Sequence, residues 1–193
     1  MVAKESTMRY NVFYITSFAA ILLLFYWVPS GYVEALTAEI SSWTLAVLGH
    51  AASWEQLGGQ TTLTLIGQHA VTVSIIRECT ALNVFGVMAG LILPLRASWV
   101  KRLTGIAISG VLLFSLNIPR IALTVYLTAY DTWPFTLMAA RSLETYHYPI
   151  SFAFGVLGVA LTVLAVSRWT TPELGDTLLG FVDGVVRLVR KGA

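Results

Sequence analysis

Three residues in this chain have the side-chain types that acyl transfer needs: Cys79, its only cysteine, Arg120 and His147. A cysteine attacks a carbonyl carbon as the thiolate. An imidazole takes the thiol proton and returns it to a leaving amine. A guanidinium holds the oxyanion that develops between the two steps. Asn117 stands one turn before Arg120 on the same helical face, with Pro119 between them. Proline removes a backbone N–H, and the local opening helps to aim the guanidinium inward. Cys79 is expected to open a helix, where unpaired N–H groups and the macrodipole stabilise a thiolate. Arg77 and Arg120 add to that effect, and Glu78 opposes it.

The composition sets where this chemistry takes place. Of the 193 residues, 56% are hydrophobic and 11% charged, whereas a water-soluble domain carries about 25% charged residues. The mean hydropathy is +0.75. The fold class expected is an all-α polytopic membrane protein forming a single membrane domain over 1–193. A net charge of +2 gives no reason to expect a nucleic-acid partner. A lone cysteine excludes an intramolecular disulfide, and in many membrane proteins it is only a small packing residue. His50, His69 and His147 are scattered and give no ligand spacing with Cys79, so neither a metal nor another cofactor is expected.

Four apolar runs approach the ~20 residues that cross a hydrocarbon core: 11–29, 79–95, 103–130 and 149–169. The first has no clean cleavage site behind it and is expected to be a span that also serves as signal anchor. The outer segment 30–78 begins with apolar residues at helical spacing from Val33 to His50, an interfacial helix. Leu63–Leu65 and Val71–Ile75 then alternate around Gly67-Gln68, a short β-hairpin leading to Arg77-Glu78-Cys79. A fifth span in this segment would reverse every later loop. Residues 172–191 have an apolar stripe and a late basic cluster, Arg187, Arg190 and Lys191, which predicts a cytoplasmic amphipathic helix on anionic lipid.

Basic residues set the orientation. Lys4 and Arg9 precede the first run, Arg96, Lys101 and Arg102 separate the second from the third, and Arg168 closes the fourth. The intervening segments hold only Arg77 and Arg141. By the positive-inside rule both termini are cytoplasmic in a cell membrane. At 1.5 Å per helical residue, Cys79 lies about 24 Å from the inner edge, Arg120 about 25 Å and His147 about 31 Å. In a core of about 30 Å all three fall in one layer at the extracytoplasmic face.

At these residues the chain resembles the exosortase/archaeosortase family of polytopic membrane transpeptidases. The resemblance is carried by Glu78-Cys79-Thr80-Ala81 at the head of a span, Asn117-Ile118-Pro119-Arg120 in the next, and His147 before the last. It covers roughly 75–158. Ala81 stands where the family often has glycine, and some members use a second arginine in place of the histidine, for which Arg141 is the alternate. The resemblance implies a sorting enzyme. Its partners are exported proteins with a C-terminal motif, a transmembrane helix and a basic cluster. Cleavage passes through a thioacyl-enzyme on Cys79, and the acyl group goes to an acceptor lipid or glycan. Two other readings of the residues stand beside it. One is a non-catalytic assembly subunit that pairs Arg120 with a partner helix. The other is a small channel or transporter that uses Arg120 as an anion site.

Overall fold

Long apolar runs without breakers satisfy their own backbone as helices, and the computed structural model, which describes residues 2–130 and 143–180, contains three of these. Helix α1 covers Val2–Trp27, α2 Gly31–Val47, α3 Leu82–Ile92, α4 Trp99–Tyr130 and α5 Leu143–Trp169. Three strands, β1 Ala51–Leu57, β2 Gln60–Ile66 and β3 Ala70–Ser74, lie between α2 and α3. Tyr10–Trp27 of α1, together with α4 and α5, is long and apolar enough to cross a membrane. Leu23 and Leu24 on α1 and Phe152 and Leu164 on α5 are exposed. Large apolar faces of that kind are stable against lipid rather than water. The chain is a mostly helical membrane protein with a small sheet.

The second expected run, 79–95, forms a shorter helix than its hydropathy predicts. A 3₁₀ turn occupies Arg77–Cys79, and α3 begins only at Leu82. Thr80 causes the break. Its hydroxyl donates to the Arg77 carbonyl at 2.7 Å and accepts the Leu82 N–H at 3.2 Å, a local alternative to helix. At the other end Pro94 lies two residues beyond Ile92 and cannot continue the ladder. The eleven residues of α3 rise about 16 Å, roughly half a hydrocarbon core.

Contacts divide the chain into two units. The first holds Met1–Trp27, Val84–Val111 and Ala160–Ala193. In it α3 approaches α1 closely: a Cβ on Gly86 would stand 2.9 Å from Phe25 Cβ, and one on Gly90 would stand 2.9 Å from Phe18 Cδ2. Small residues four apart allow backbones this near in helices that pack without a hydrophobic driving force. Buried Tyr14 donates to the Leu91 carbonyl at 2.8 Å. Arg96 lies over the Tyr10 ring at 3.8 Å, and Arg102 donates to the Leu93 carbonyl at 2.7 Å. Residues 172–180 are helical. The remainder of the expected amphipathic helix, with Arg187, Arg190 and Lys191, lies outside the described residues.

The second unit holds Val28–Asn83 and Leu112–Val159. Its sheet has the order β1-β2-β3, antiparallel throughout. The expected hairpin is present as β2 and β3, and β1 joins it through a Gly58-Gly59 turn with φ of 57° and 84°. A two-residue turn with both φ positive matches the twist of paired strands. Leu63, Leu65, Val73 and Ile75 of the β2–β3 stretch pack on Ala38 and Leu45 of α2 and on Ile121, Ala122 and Val125 of α4. Cys79 packs against this core.

Candidate active site

Cys79 is placed by bonds on both sides of its turn. Its N–H donates to the Ile76 carbonyl at 2.8 Å, and its thiol to the Ser74 carbonyl at 3.8 Å. Its own carbonyl accepts two donors from α4, Asn117 Nδ2 at 2.9 Å and Arg120 Nη2 at 3.1 Å. Those residues are three apart, so both project from one face of the helix, as the sequence suggests. Asn117 is buried, and a buried amide requires the partner it finds here. Helix α4 runs unbroken past Pro119. Proline has no N–H to give the Ser115 carbonyl four residues back.

The environment of the thiol differs from the expectation in two respects. Cys79 closes a 3₁₀ turn instead of opening a helix, so the helix-start N–H groups expected beside it belong to α3 from Leu82 onward. Arg77 does not border the pocket at the thiol. Its Nε donates to Asn83 Oδ1 at 2.9 Å and its Nη1 to the Val28 carbonyl at 2.7 Å. Arg77 therefore fastens the turn to the chain after α1 and to the start of α3.

One pocket of about 150 Å³ is walled by Cys79, Arg120 and His147 together. Val73, Ser74 and Ile75 form one side of it, Ile121, Thr124 and Val125 another, and Leu143, Glu144 and Tyr148 a third. The three residues that the sequence assigns to one layer thus face one cavity, delivered by the turn, α4 and α5. Arg120 Nε is buried without a hydrogen-bond partner among the described residues. An orphaned buried donor of this kind is costly unless something fills it. His147 Nε2 lies 3.5 Å from Ser151 Oγ one turn on. Arg141, the alternate to His147, lies outside the described residues.

Two features of the second unit were not read from the sequence. Glu144 stands three residues before His147 and places a carboxylate on the same wall, at the (i, i+3) spacing that would have flagged it. His50 lies 3.0 Å from Tyr130 Oη through Nδ1, with its ring centroid 5.0 Å from that of Tyr126. A larger cavity of about 410 Å³ beside His50, Pro119, Tyr126 and Phe154 contains no cysteine.

A model of the transmembrane exosortase family matches residues 7–140. The chain belongs to that family. The matched stretch contains Cys79, Asn117 and Arg120 and ends before His147. At the level of the family this makes the chain a membrane transpeptidase of the exosortase type. Neither the curated proteins nor the solved structures provide a match.

Proposed function

We propose that this exosortase is a membrane-embedded cysteine transpeptidase that cleaves the C-terminal sorting tails of exported proteins. The observation that supports this most strongly is the single pocket shared by Cys79, Arg120 and His147. His147 accepts the thiol proton, and the Cys79 sulfur attacks the carbonyl carbon of the scissile peptide bond. Arg120, whose Nε has no hydrogen-bond partner among the described residues, stabilises the oxyanion of the tetrahedral intermediate. The C–N bond then breaks, His147 gives its proton to the leaving amine, and a thioester remains on Cys79. An acceptor nucleophile, a lipid or glycan group, attacks that thioester and regenerates the thiol.

The charge distribution supports a site at the extracytoplasmic face with both termini cytoplasmic. A substrate anchored by its own transmembrane helix and held by a basic cluster inside would present its cut site at the depth of Cys79. Membrane lipids surround both enzyme and tail, so two-dimensional encounter replaces tight binding from solution. The test is capture of the thioacyl-enzyme on Cys79 with a tailed substrate protein.

A further inference from the structure

Strand β3 leads directly to the nucleophile, and among the described residues nothing pairs with its outer edge. The register fixes which backbone groups that edge presents. Leu63 faces Val73, and Ile75 N–H donates to the Thr61 carbonyl at 2.8 Å. Bonded and non-bonded pairs alternate along an antiparallel ladder, so Val73 and Ile75 point their N–H and C=O groups at β2. Those of Thr72 and Ser74 point away from it. The 2.9 Å contact between the Thr64 and Thr72 hydroxyls fits the closer side chains of a non-bonded pair. The Ser74 carbonyl on this edge is the group that accepts the Cys79 thiol at 3.8 Å.

The edge is also continuous with the pocket, because Val73, Ser74 and Ile75 line it beside Cys79. Its direction along α4 is fixed at both ends. His69 N–H donates to the Ala129 carbonyl at 3.1 Å, and the Cys79 carbonyl accepts from Arg120. The chain from His69 to Cys79 therefore descends α4 from Ala129 to Arg120.

We propose that the free edge of β3 is the docking strand for the substrate: the extended segment just ahead of the cleavage site adds to it as a fourth strand, running parallel to β3. This rests on the transpeptidase reading above. A substrate with its exported body outside and its helix in the bilayer passes Cys79 in the same sense as β3, which makes the pairing parallel. In a parallel ladder the substrate residue opposite Val73 donates its N–H to the Thr72 carbonyl and accepts the Ser74 N–H. The residue two further on donates to the Ser74 carbonyl, displacing the thiol and bringing the scissile carbonyl to Cys79. Main-chain bonds of this kind give affinity and alternate side-chain pockets give specificity. The side chain opposite Val73 faces the wall made by Val73, Ile121, Val125 and Leu143, so the substrate carries an apolar residue there.

The test uses the full chain in lipid nanodiscs with synthetic peptides that contain a tail motif and its transmembrane helix. Each residue ahead of the cut site is replaced singly by its N-methyl form. Only every second N–H faces β3, so KM is expected to rise at alternate positions, by about tenfold for each lost bond. Ser74→Pro removes an edge N–H while leaving the ladder to β2 intact. Its expected effect is a similar rise in KM, with unchanged Tm and unchanged labelling of Cys79 by a small thiol reagent. A flat N-methyl profile overturns the proposal, as does Ser74→Pro with wild-type Tm and wild-type KM. Should Ser74→Pro lower Tm, the N-methyl profile on the wild-type enzyme decides alone. A wild-type enzyme that cleaves no tailed peptide overturns the transpeptidase reading itself, and this proposal with it.

Discussion

Arg120 Nη2 lies 3.1 Å from the carbonyl oxygen of Cys79, so the guanidinium grips the backbone of the residue whose thiol shares its pocket. One planar fork can hold that carbonyl and still direct another donor at a reacting oxygen. A lysine ammonium is a point charge and cannot do both. Arg120→Lys is expected to lower tail processing by about 10²–10³-fold, the scale of a lost oxyanion donor. Asn117 supplies the second donor to the same carbonyl. Asn117→Ala is expected to lose about tenfold through one missing bond. Asn117→Asp should be worse than alanine, because a carboxylate would face the carbonyl with no donor. Steady-state processing of a tailed peptide in nanodiscs measures all three.

Arg77 holds the Cys79 turn in place through hydrogen bonds to the chain on either side. Its guanidinium is bonded to the Val28 carbonyl and to Asn83. Arg77→Ala is expected to lower stability by about 1–2 kcal/mol, a value kept small because these bonds are solvent-accessible. The same loss is expected in a Cys79→Ser background, since neither of these bonds uses the thiol. Unfolding midpoints of the four proteins in mixed micelles measure the effect. A destabilisation that vanishes with the serine would contradict this role.

Part of the candidate site was legible in the sequence: Cys79, Arg120 and His147, expected in one layer, line one pocket. The depth expected for Cys79 assumed helical rise throughout 79–95, and that run is helical only over Leu82–Ile92. Strands β2 and β3 were legible because Leu63, Leu65, Val71 and Val73 alternate with polar residues. Strand β1 was not, since Glu55, Gln56 and Leu57 are exposed and break the alternation on that edge. Its signal was the Gly58-Gly59 pair, a two-residue hairpin turn. The short α3 was hidden because hydropathy ignores Thr80, whose hydroxyl competes for the backbone at the start of the run. The role of Arg77 was hidden for a different reason. The partners of a charged side chain are set by tertiary neighbours such as the Val28 carbonyl, far away in the chain.

His147 lines the pocket, and Arg141 is its sequence alternate as third catalytic group. His147→Ala is expected to lower turnover by at least about 10²-fold, the usual scale for a lost general base. Arg141→Ala should retain most of it. Small-reagent labelling of Cys79 should persist in both variants, which separates lost proton transfer from a lost nucleophile. The reverse ranking of the two variants would transfer the role to Arg141.

The close approach of α3 to α1 tests the first unit independently of the chemistry. A methyl group on Gly86 would meet Phe25 Cβ at 2.9 Å, an atom too near its backbone to swing away. Gly86→Ala is expected to destabilise by about 1–3 kcal/mol, the typical range for overpacking. Thermal unfolding in nanodiscs measures it. An unchanged midpoint would mean that the two helices do not pack as described.

The proposed mechanism requires Cys79 to form an acyl bond with the substrate. The most direct measurement is the intact mass of the protein after acid quench during turnover of a tailed peptide, before and after hydroxylamine. The expected result is an adduct equal to the upstream fragment, mapped to Cys79, removed by hydroxylamine and absent in Cys79→Ser. Continued processing of the peptide by Cys79→Ser, with no adduct on the wild-type chain, would contradict it.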